Sequence, residues 1–70
     1  MKVGEALIEA AKKQAEGEVA VHIANIEVYK AMPAGIGEHS DVMGPIDGEI
    51  NAIAQAHEKI EIINHYFLER

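Results

Sequence analysis

The sequence predicts an all-α fold: an antiparallel two-helix hairpin that dimerises into a four-helix bundle. Three observations lead there. Both prolines and three of the six glycines fall between Met32 and Pro45. The runs on either side, about 3–31 and 45–69, repeat their apolar residues every three or four positions, the period of a helix. Cysteine is absent and the chain has 70 residues, so one small domain must hold together without disulfides.

The first helix is expected over about 3–31. Ala6, Leu7, Glu9, Ala10, Ala11, Lys12, Lys13 and Gln14 are all good helix formers. One stripe follows Val3, Leu7, Ala10, Gln14, Gly17, Val21, Ala24, Val28 and Ala31; another follows Ile8, Ala11, Ala15, Val19, Ile23 and Ile26. Together they make a face wider than one neighbouring helix covers. Beyond Val19 polar residues thin out, so this half is expected to be the more buried one. Gly17 costs a helix interior roughly 1 kcal/mol relative to Ala. It fits either a close approach by another backbone or a tolerated surface glycine.

A turn is expected over about 32–44. Pro33 fixes its own φ and drives Met32 out of the helical region, while Gly35 and Gly37 let the chain reverse. A glycine pair before a helix can cradle phosphate, but Glu38 and Asp41 would repel it, and no Lys or Arg stands between Lys30 and Lys59. The favoured reading is structural, with Ile36 plugging the bundle end and Glu38, His39 and Asp41 capping the next helix. Ile36, Glu38, His39 and Asp41 are also the residues through which an exposed loop would touch a protein partner.

The second helix is expected over about 45–69, with a possible helical turn already from Ser40. Gly44 suits a cap and Pro45 a first helical position, and Asp47 and Glu49 suit the positive end of the dipole. Ile46, Ile50, Ile53, Ile60 and Phe67 advance by alternating fours and threes, with His57 and Asn64 in the two remaining places. Ile46, Ile50, Ile53, His57, Ile60 and Phe67 therefore form the expected core and dimer seam. Two helices alone leave apolar flanks wet, and a two-fold dimer is the simplest closed remedy.

Few residues could carry chemistry. His57, Glu61 and His65 lie four apart on one helix face, and His22 lies four after Glu18, a spacing that can hold a metal inside a bundle. The Glu-x-x-His pairs of di-iron bundles are missing. The favoured reading places His57 on the seam, hydrogen-bonded across the interface and setting register; protonation of such a histidine would weaken the dimer. Ser40 is the single serine and its neighbour His39 is poorly placed to activate it, so no catalytic residue, cofactor or enzyme activity is expected. The net charge is −6, without a basic cluster, which excludes nucleic acid and a basic membrane-surface helix as expected partners. Acids at Glu5 and Glu9 interrupt the first apolar residues, so neither a signal peptide nor a membrane span is expected, and a cytoplasmic location is.

The segment Gly35-Ile36-Gly37-Glu38-His39-Ser40-Asp41 is preceded by Pro33 and followed by Ala56-His57-Glu58-Lys59-Ile60-Glu61 and His65-Tyr66-Phe67. Over about the last two-thirds of the chain it resembles small proteins of unknown function encoded by marine bacteriophages. Ser40 departs from the proline of those relatives, which leaves the start of the second helix open. The resemblance implies a phage accessory protein acting in the host cytoplasm and supplies no catalytic residue. The functional expectation is a non-enzymatic, homodimeric module that binds an unidentified protein partner. The alternative is a metal-binding helical bundle using His57, Glu61 and His65.

Overall fold

The computed structural model describes residues 2–31 and 43–68. They form an all-α hairpin. Helix α1 spans Val3–Ala31 and helix α2 spans Met43–Ile63, continuing into a π-helical turn over Asn64–Leu68. The helices are antiparallel: Glu18 reaches Lys59, whereas His22 and Asn25, further along α1, reach back to Glu49. The residues expected to turn the chain, 32–42, lie outside the described residues, and so do Ile36, Glu38, His39 and Asp41.

Each helix begins where its sequence allows. In α1 the Ala6 N–H donates to the Lys2 carbonyl at 3.0 Å, with Glu5 in the first turn and Lys30 in the last, both favourable to the helix dipole. Helix α2 starts at Met43, two residues before Pro45, so Gly44 and Pro45 lie inside its first turn rather than at its edge. Backbone N–H groups of a first turn have no carbonyl partner within the helix, so the N–H that Pro45 lacks is not missed.

The helices meet along two rows with coiled-coil spacing. Helix α1 turns Ile8, Lys12, Ala15, Val19, His22, Ile26 and Tyr29 inward; α2 turns in Ile46, Glu49, Ile53, Ala56, Ile60 and Ile63. Ala15 and Ala56, each 2% exposed, are the only fully buried residues among those described. Their small side chains let the helices lie close at mid-length.

The expected seam on α2 is therefore rolled. Ile46, Ile53 and Ile60 face α1, but Ile50, His57 and Phe67 do not. The observed roll brings in Ala56 and Ile63 and leaves the strongly hydrated His57 ring in water, its side chain 65% exposed. Phe67 leaves the row for a second reason. The wide π turn delays the inward position by a residue, so Leu68 is half-buried and Phe67 is 50% exposed.

The result is a rod. Its radius of gyration is 16.5 Å, against about 11 Å for a compact 70-residue domain. Its extents of 57 × 16 × 12 Å leave room for a single layer of helices. The accessible surface is 5485 Å², where a compact 7.6 kDa chain exposes about 4,300 Å², an excess of roughly 1,200 Å².

Candidate functional site

Helix α1 carries two seams, not one. Val3, Leu7, Ala10, Gln14, Gly17, Val21, Ala24, Val28 and Ala31 are all exposed. At 100° per residue this row points roughly 150° away from the row that meets α2. It forms a ridge about 42 Å long on the back of the hairpin. Every Lys and Glu of α1 lies off it: Glu5, Glu9, Lys12, Lys13, Glu16, Glu18, Glu27 and Lys30 occupy the other positions. The half of α1 beyond Val19 is thus not the buried half, since Val21, Ile23 and Val28 are among the most exposed large apolar residues. The back of α2 is different in kind. Asp47, Asn51, Gln55, Glu58 and Glu61 are exposed on α2, interspersed with the exposed Ile50 and Ile62, so its outer surface is mixed and charged.

A polar cluster interrupts the seam between the helices. His22 Nδ1 lies 2.6 Å from Glu49 Oε1, to which Asn25 Nδ2 also donates at 2.9 Å. The side chains of His22 and Glu49 are 28% and 20% exposed. The hydrogen bond from Asn25 holds the Glu49 carboxyl below its ordinary pKa, and the bond from His22 adds to this. Sequence reasoning missed the pair, assigning Glu49 to the helix dipole and His22 to Glu18. The signal was present: His22 falls three after Val19 and four before Ile26, and Glu49 three after Ile46 and four before Ile53.

Beside the alanine waist, Ala11, Gln14, Ala15, Glu18, Lys59, Ile62 and Ile63 line an open cleft of about 350 Å³. Lys59 Nζ and Glu18 Oε1 stand 4.0 Å apart at its rim. With no buried polar side chain among the described residues to aim into it, the cleft offers little to fix a ligand's orientation.

The candidate ligands of the alternative, metal-binding reading do not converge. His57 Nε2 lies 3.5 Å from Glu61 Oε2 on the exposed side of α2, while His65 packs edge-on against Tyr66 at 4.6 Å. Among the described residues no three His, Asp or Glu side chains are grouped to hold a metal ion. None of the described helices is long and apolar enough to cross a membrane.

No protein family, curated protein or solved structure matches the chain. Among the described residues, the ridge on α1 is a long apolar surface that the hairpin's own folding does not use.

Proposed function

We propose that this chain is a non-enzymatic interaction module that works as a homodimer. The supporting observation is the uncharged apolar ridge of α1, on a rod exposing roughly 1,200 Å² more than a compact chain of its mass. A standard protein interface takes about 800 Å² from each partner, so the excess is of the size that one such contact covers. An interior whose only fully buried residues among those described are two alanines gives a lone hairpin little hydrophobic stability. A second copy supplies it.

A paired hairpin of this kind suits the accessory role in an infected bacterial cytoplasm that the phage resemblance implies, with a host or phage protein as partner. Sedimentation equilibrium tests the dimer directly. A two-chain mass at micromolar concentration is expected. A single-chain species with full helical circular dichroism over the same range overturns the reading.

A further inference from the structure

We propose that the second copy docks on the ridge of α1, with α1 lying antiparallel against α1 of the partner subunit. This rests on the homodimer reading above and specifies its contact. From Leu7 onward the ridge alternates two classes of side chain: Leu7, Gln14, Val21 and Val28 are the long positions, and Ala10, Gly17, Ala24 and Ala31 are the short ones, with only Val3, at the end of the ridge, breaking the alternation. In an antiparallel pair the two alternating classes of a seam face each other, so long meets short in every layer. A parallel pair would stack long on long and short on short, which packs less well. One register satisfies all eight positions. Leu7 lies over Ala31 of the partner subunit, Ala10 under Val28 of the partner subunit, Gln14 over Ala24 of the partner subunit, and Gly17 under Val21 of the partner subunit.

Two further observations agree with this register. A Cβ added to Gly17 would meet nothing within 4 Å, so the hairpin itself has no use for a glycine there, deep in the helix and far from either end. Gly17 gains a reason if the Val21 side chain of the partner subunit occupies that space. The flanking charges also match. Lys13 and Glu27, the only charges along one edge of the ridge, come to similar height across the two-fold axis, giving two opposite-charge pairs. Along the other edge Glu18 approaches its own mate, and Lys59, 4.0 Å from Glu18 in each hairpin, offsets that repulsion. Helix α2 also exposes Ile50 and Ile62, but Asp47, Glu58 and Glu61 stand among them, whereas the ridge of α1 carries no charge.

The absence of cysteine makes the geometry directly testable. Oxidation of the Ala10→Cys/Val28→Cys variant should give a disulfide-linked dimer on a non-reducing gel. Ala10→Cys alone should stay unlinked, because its two copies stand roughly 27 Å apart along the axis. Val21→Glu, at an exposed position of the hairpin, should weaken dimerisation at least about 100-fold by burying four-layer-deep charge without a partner, while Gln55→Glu on α2 leaves it unchanged. If Val21→Glu loses its helix, Gly17→Lys decides. Lysine is the better helix former, so a monomer there reports the interface alone. Cross-linking of Ala10→Cys by itself, or a dimer that survives the helical ridge variants, overturns the docking. A monomeric wild type overturns the homodimer reading itself.

Discussion

Glu49 is a carboxylate set within an apolar period, and the opposite helix supplies its partners. Asn25 and His22 both bond its Oε1, and the bond from Asn25 contributes most to lowering its pKa. A carboxyl whose folded pKa is lowered stabilises the fold above its unfolded pKa, about 4.3 for glutamate, and loses that contribution as pH falls through the folded value. The melting temperature should therefore drop between pH 5 and the acid range below about pH 4, and Glu49→Gln should flatten that part of the curve. Ala56 gives a second prediction. It is 2% exposed on the side of α2 that faces α1, so Ala56→Leu should force the helices apart and cost about 1–3 kcal/mol in denaturant unfolding. At this scale the sequence was only partly legible. Alanines read as helix formers, and a Glu in a first turn reads as a dipole partner. Only the spacing to Ile46 and Ile53 shows Glu49 to be an inward position, and the position of His22 on the facing helix is needed to see why it is tolerated there.

The helices themselves were plain in the sequence, because three- and four-residue spacing has no other simple solution over runs this long. Their roll was not. Helix α1 has two rows of the same period, and the row richer in valine and leucine is the one that points away from α2. Period alone cannot rank two such faces. On α2 the isoleucine row and the observed row share Ile46, Ile53 and Ile60, and differ in whether His57 or Ala56 goes inside. The π turn over Asn64–Leu68 has no local sequence marker, yet it shifts Phe67 out of the row. The start of α2 carries a test of its own. Pro45 lies in the first turn, so Pro45→Ala should change stability by less than about 0.5 kcal/mol. Gln55→Pro, in the middle of the same helix, should cost about 3 kcal/mol or more.

At the scale of the whole molecule the hairpin is too thin to enclose an interior. Association and folding should therefore be linked: the melting temperature of the wild type should rise with protein concentration, as it does whenever a partner binds only the folded chain. Each copy carries a net charge of −6, so two copies repel at long range. Raising the salt from low ionic strength to about 0.15 M shortens the screening length to about 8 Å and should tighten the dimer. Sedimentation at two salt concentrations measures this directly.

The placement of the ridge on one side of the hairpin would also set where the proposed assembly stops. A pair closed on the greasy side would leave outward the α2 flank, where Asp47, Asn51, Gln55, Glu58 and Glu61 mix with the exposed Ile50 and Ile62. A two-fold contact spends the same patch on both copies, so a couple joined there would be closed and would not run on into a fibre.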